Sequence, residues 1–130
     1  MAVSKTKSPE EILAVYPAGQ RHFGENYVQE LVRKYPALPS DIRWHFIGHL
    51  QSNKCKDVAR VPGMWCVETV DSLRLALKLD RACEAAGRPE PLGVMIQVNT
   101  STSEDVDVAD GDGVDEESLG VEEELEKGTR

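Results

Sequence analysis

The chain begins Met-Ala-Val-Ser-Lys-Thr-Lys, so Lys5 directly follows the short strand-like run Ala2-Val3-Ser4. An amine at the carboxyl end of a strand, held partly out of water, is a competent nucleophile for an aldehyde. The plainer use of Lys5 is a solvated lysine in a polar turn, helped by Lys7. Phe23-Gly24-Glu25-Asn26 is a second stretch of this kind. Gly24 permits an unusual backbone angle or the close approach of a ligand, and Asn26 offers both a donor and an acceptor. The plainer reading is a strand-to-helix turn in which Glu25 or Asn26 caps the helix. In Trp44-His45-Phe46-Ile47-Gly48-His49 the two histidines stand four apart, a metal-like spacing on a helix. The segment reads as strand plus loop and shows no third ligand, so zinc is not expected there. A His45 that is hydrogen-bonded inside the sheet wall is expected instead.

The elements that must position these groups alternate along residues 1–100. Ala2-Val3-Ser4 reads as a strand. Ser8-Pro9-Glu10-Glu11 starts a helix, with Ser8 as cap, Pro9 in the first position and Glu11 closing a capping box. Arg21 to Gly24 is a second strand, and Glu25 to Tyr35 a helix with Val28, Leu31, Val32 and Tyr35 on one face. Arg43 to Gly48 is a third strand, followed by a polar helix from about Gln51 to Ala59. Met64 to Val70 is a fourth. Asp71 or Ser72 caps the longest helix, whose apolar stripe is Leu73, Leu75, Leu77, Leu79, Ala82 and Cys83, and Gly87 stops it. Leu92 to Val98 is a fifth strand, nearly continuous in apolar residues, as strands covered on both faces are. Alternation at this pitch implies a parallel sheet with helices outside. An open doubly wound sheet and part of a (β/α)8 barrel both satisfy it.

The pattern stops after Asn99-Thr100. The formal charge of −8 belongs to the remainder of the chain: residues 101–130 hold twelve acids and two bases, residues 1–100 eleven acids and thirteen bases. So few apolar residues among so much like charge cannot offset the entropy of ordering, and 102–130 is expected to be an acidic, disordered tail after a domain at 1–101. The run from Asp105 to Gly111, with Glu116 in the twelfth place, resembles a calcium loop. Ala109 takes a ligand position, however, and Asp110 stands where the tight turn needs glycine, so a solvated tail is expected. Without a basic stripe, nucleic acid is not an expected partner. There is no apolar run of membrane-spanning length and no signal peptide. Cys55, Cys66 and Cys83 make an odd set without a CxxC, which argues against a disulfide framework and for a reducing cytosol. Each is expected to be a small buried apolar residue.

Five stretches in this order carry a resemblance: Ala2-Val3-Ser4-Lys5-Thr6-Lys7; His22-Phe23-Gly24-Glu25-Asn26-Tyr27-Val28-Gln29-Glu30; Trp44-His45-Phe46-Ile47-Gly48-His49-Leu50-Gln51 with Asn53-Lys54; Val67-Glu68-Thr69-Val70-Asp71-Ser72; and Gln97-Val98-Asn99-Thr100. Over about residues 1–101 the chain closely resembles the pyridoxal phosphate homeostasis proteins, also called the proline synthetase co-transcribed family. The resemblance implies a (β/α)8 TIM-type barrel like the alanine racemase N-terminal domain, of which about the first five β-α units lie here. It implies pyridoxal 5′-phosphate (PLP) held as a Schiff base by Lys5, with Asn26 near the cofactor. It implies a cytoplasmic carrier that regulates the vitamin B6 pool, with no catalytic turnover. Family members have a helix before strand one and three further strands, whose loops supply the phosphate cradle and the group facing the pyridine nitrogen. The tail does not match. The family is expected to be monomeric, but five strands leave open edges that invite self-association. The competing functions are a racemase or decarboxylase of the related barrel, which needs a second domain and a second base, and a nonfunctional fragment.

Overall fold

Local signals start each of five successive β-α units. The computed structural model describes residues 1–100. The acidic tail and its calcium-like run lie outside the described residues. Strand β1 (Ala2–Val3) leads to α1 (Pro9–Val15), where Ser8 and Glu11 form the complete reciprocal capping box. Strand β2 (His22–Glu25) leads to α2 (Val28–Lys34), and β3 (Arg43–Phe46) to the short α3 (Cys55–Ala59). Strand β4 (Met64–Val70) leads to α4 (Leu73–Ala85), capped by the Ser72 hydroxyl, and β5 (Gly93–Ile96) comes last. Gly19 and Gly87, both at positive φ, end the first and last of these helical segments, as left-handed caps do.

All five strands are parallel and lie in sequence order, β1-β2-β3-β4-β5. This decides between the two architectures. A doubly wound sheet reverses its strand order so that helices reach both faces. Right-handed crossovers that always step the same way put every helix on one face, as in a (β/α)8 barrel. The fold is thus a partial barrel of the TIM type. One buried cluster binds the helices to the sheet; Phe23, Trp44, Phe46 and Val67 from the strands join Ile12, Leu31, Val58, Leu75 and Leu79 from the helices. The register slips between Trp44 and His45, so that Trp44 faces Met64 while His45 faces Cys66. Trp65 is the extra residue, and such bulges re-aim the side chains beyond them.

Three expectations need correction. Helix α2 begins at Val28 with Tyr27 as its cap, because Glu25 stays in β2 with a buried carboxylate and neither it nor Asn26 is the capping residue. In α4 only Leu75, Leu79 and Ala82 are buried, whereas Leu73 and Leu77 are exposed. Leucines two apart cannot share a helix face of 3.6-residue period. Strand β5 is exposed throughout, Ile96 at 79%. Its apolar run matches a strand covered on both faces, but among the described residues no helix or further strand comes after it to cover it.

Candidate functional site at the carboxyl rim

The reactive rim of a parallel α/β sheet lies at the carboxyl ends of its strands. Here that rim rests on a buried charge network. Ser4 extends β1, its backbone N–H donating to the Gly24 carbonyl at 2.8 Å and its hydroxyl to Glu25 Oε1 at 2.7 Å. Lys34, on the inward face of α2, donates from Nζ to Glu25 Oε1 (3.0 Å) and Oε2 (3.2 Å), to Glu30 Oε2 (2.8 Å) and to the Ser4 carbonyl (3.0 Å). The Lys34 and Glu25 side chains are 5% and 0% exposed. A pair so buried persists only when its remaining hydrogen bonds are satisfied, and Ser4 and Glu30 satisfy them. Glu30 also accepts from the Thr6 N–H at 2.9 Å. The bond from Lys34 is the main reason, and that from Thr6 the second, that its carboxyl titrates below its usual range.

Lys5 is therefore gripped on both sides. Ser4 is tied to Glu25 and Lys34, Thr6 to Glu30, and Thr6 takes φ 64°, the only positive φ among the described residues that is not at glycine. Backbone held there in a sparsely populated region signals a position fixed by its surroundings. Lys5 itself is exposed and, among the described residues, makes no hydrogen bond or ion pair, whereas Lys7 pairs with Glu11 at 3.1 Å. The expected partial desolvation of Lys5 is absent, because β1 is a two-residue edge strand and the chain turns away at Thr6.

Asn26 lies on the same rim. The β1–β2 register pairs Ala2 with Phe23 and Val3 with Gly24, so Lys5 and Asn26 each follow the carboxyl end of one of two neighbouring strands. Asn26 is half-buried, and its Oδ1 is buried without a hydrogen-bond partner. Gly48, just past β3, presses against the same residue: a Cβ there would collide with the Asn26 carbonyl oxygen and stand 2.8 Å from the carbonyl carbon. The Thr69 hydroxyl donates to the Gly48 carbonyl and secures this contact from β4. Gly24 is close-packed too, since an added Cβ would meet Met1 Sδ at 3.0 Å and Ile47 at 3.1 Å. It needs no unusual backbone angle.

A second polar cluster occupies the sheet face opposite the helices. His22 Nδ1 lies 2.8 Å from His45 Nε2, and His45 Nδ1 lies 2.6 Å from Glu68 Oε1. His45 is thus hydrogen-bonded within the sheet wall, as expected, while His49 is exposed and 3.9 Å from Asp71. Burial, then the neighbouring His45 and Arg43, hold the His22 imidazole below its ordinary value. The Cys66 thiol is pushed up by burial and then by Glu68. Neither Glu25–Lys34 nor Cys66 and Glu68 stand out in the sequence. One signal exists for Lys34, which continues the buried three-residue row of Val28 and Leu31 and stands four after Glu30.

No family profile matches the chain. It is 49% identical over 104 residues to the pyridoxal phosphate homeostasis protein of Schizosaccharomyces pombe, covering 80% of this chain and 43% of that protein. The protein of the same name from Homo sapiens is 47% identical over 109 residues, covering 80% of this chain and 40% of its own length. Among solved structures, PipY of Synechococcus elongatus, with PLP bound, superposes with a TM-score of 0.61 at 44% identity, covering 68% of this chain and 42% of that one. The chain belongs to the pyridoxal phosphate homeostasis protein family. It spans less than half the length of these relatives. The five stretches singled out in the sequence lie on the strands of this sheet or in the segments that follow their carboxyl ends.

Proposed function

We propose that the chain binds PLP and serves intracellular PLP homeostasis, with Lys5 holding the cofactor covalently and Asn26 beside it. What supports this reading is that Lys5 and Asn26 both follow the carboxyl ends of the paired neighbouring strands β1 and β2. Lys5 there brings an amine without a competing partner among the described residues, and Asn26 a buried acceptor without a donor. Buried acceptors are almost always satisfied, so Asn26 Oδ1 fits a site that takes up a ligand or an ordered water. When bound, PLP supplies an aldehyde carbon that bonds to an unprotonated amine with loss of water. The chain's own part is positional. The Ser4–Glu25–Lys34–Glu30 network and the Thr6 turn fix the backbone on either side of Lys5, while Gly48 keeps the next loop close against Asn26.

The PLP-binding unit is taken to run over residues 1–101. A carrier without turnover, working in the cytoplasm, is the reading that suits relatives named for homeostasis and not for a reaction. Among the described residues no helix is long and apolar enough to cross a membrane. The test is a titration of the full chain with PLP, monitored by absorbance. Lys5→Ala should abolish the spectral shift of lysine-bound PLP and Lys7→Ala should leave it nearly intact. Equal loss from both changes would mean nonspecific lysine modification and would reject the reading. Racemisation of alanine faster than free PLP achieves would reject the carrier assignment.

A further inference from the structure

The cluster on the opposite sheet face is not used by the PLP reading and stands independently of it. His45 from β3 and Cys66 and Glu68 from β4 bring one nitrogen, one sulfur and one oxygen within 4.8 Å of one another. Cys66 and Glu68 share a face because they are two apart on a strand. His45 joins them because the bulge at Trp65 sets it opposite Cys66. His45 and Cys66 are buried, and Glu68 is half-exposed. Among the described residues no other group of histidine, cysteine and acidic side chains comes this close together.

We infer that His45, Cys66 and Glu68 form a binding site for a divalent transition-metal ion of the zinc type. The donor set decides the class of ion. Nitrogen and sulfur ligands with a single carboxylate suit zinc or cobalt and not magnesium or calcium, which need oxygen. Three protein ligands on a half-open face leave a fourth position for water, the arrangement of non-structural zinc sites. His45 Nδ1 is the nitrogen that faces Glu68, at 2.6 Å. Bonds of about 2.0–2.1 Å from nitrogen and oxygen to a tetrahedral ion require the two atoms to stand roughly 3.3 Å apart. A rotation of the half-exposed Glu68 carboxylate provides that. On binding, His45 takes the neutral tautomer with its proton on Nε2, so that Nδ1 offers its lone pair, while the Cys66 thiol proton passes to solvent and the thiolate becomes the ligand.

His22 supplies the outer support. A metal-bound histidine normally donates its other ring N–H to a fixed acceptor, which sets its tautomer and orientation. His45 Nε2 already lies 2.8 Å from His22 Nδ1. With its own proton on Nε2, His22 can offer Nδ1 as that acceptor.

The test uses Co²⁺ as the probe on the full-length, reduced chain. One Co²⁺ per chain should produce the strong near-ultraviolet charge-transfer band of a cobalt–thiolate bond, and Zn²⁺ should displace it. This band reports sulfur ligation, so cobalt held by the acidic tail does not imitate it. Cys66→Ser should abolish the band, while Cys55→Ala and Cys83→Ala should retain it. His22→Gln should keep the band but weaken affinity roughly tenfold or more. If Cys66→Ser fails to fold by circular dichroism, loss of the band in Glu68→Gln takes its place. No charge-transfer band in the wild type, or a band that survives Cys66→Ser or Glu68→Gln, overturns the inference.

Discussion

Replacing Lys34 by methionine isolates what the buried network contributes. The change keeps an unbranched side chain, one atom shorter, and removes the ammonium that donates to Glu25, Glu30 and the Ser4 carbonyl. Glu25, whose side chain is 0% exposed, then keeps the Ser4 hydroxyl as its side-chain donor. Removing one member of a buried pair leaves an uncompensated charge and typically costs about 3–5 kcal/mol. A domain of this size has about 5–15 kcal/mol in total, so the variant should lose a large part of its stability. Replacing both members, Glu25→Leu with Lys34→Met, should recover most of the loss, since a well-packed apolar pair can match a buried ion pair. The assay is urea unfolding of wild type, both single variants and the double variant. A Lys34→Met loss below about 1 kcal/mol is typical of exposed pairs, and would show that the network is solvated. A double variant no better than the sum of the singles would refute the account of the pair as one coupled unit.

Three further outcomes test other parts of the structure. Gly48→Ala drives a Cβ into the Asn26 carbonyl, so the rim must shift; thermal unfolding should show a loss of at least about 1–3 kcal/mol, as for overpacked sites. Burial holds the His22 pKa below its ordinary value, so its contribution is present above about pH 6.5 and is lost as pH falls through the lower, folded-state value; chemical unfolding from pH 8 to 5 should show this fall reduced in His22→Gln. Strand β5 exposes Val94, Met95 and Ile96, and exposed apolar edges recruit other strands; sedimentation velocity should show concentration-dependent self-association that Ile96→Lys diminishes, and unchanged association in that variant would place the contact elsewhere.

The features legible in the sequence are local or motif-borne. The Ser8–Glu11 box, the Ser72 cap and the glycine stops sit within one turn of the helices they delimit, so short-range pattern suffices for them. The proposal of Lys5 and Asn26 as site residues comes from the family resemblance that the five motifs carry. The features that escape it depend on neighbours distant in the chain. Glu25 looks like a capping residue until Lys34 is folded back over it from α2. Cys66 and Glu68 share a face by simple alternation, but only the slip at Trp65 aligns them with His45. The leucines of α4 read as one stripe, and the helix divides them. The exposure of β5 is a matter of what lies beside it, which its own apolar residues do not encode.

The central claim is that Lys5 alone among the chain's lysines is built into a cofactor-binding rim. The direct measurement is to mix the full chain with stoichiometric PLP, reduce with borohydride, digest and locate the modified lysine by mass spectrometry. The account predicts a single label on Lys5, diminished in Lys34→Met where the backbone around Lys5 is released. Label scattered over many lysines, or none, would contradict it.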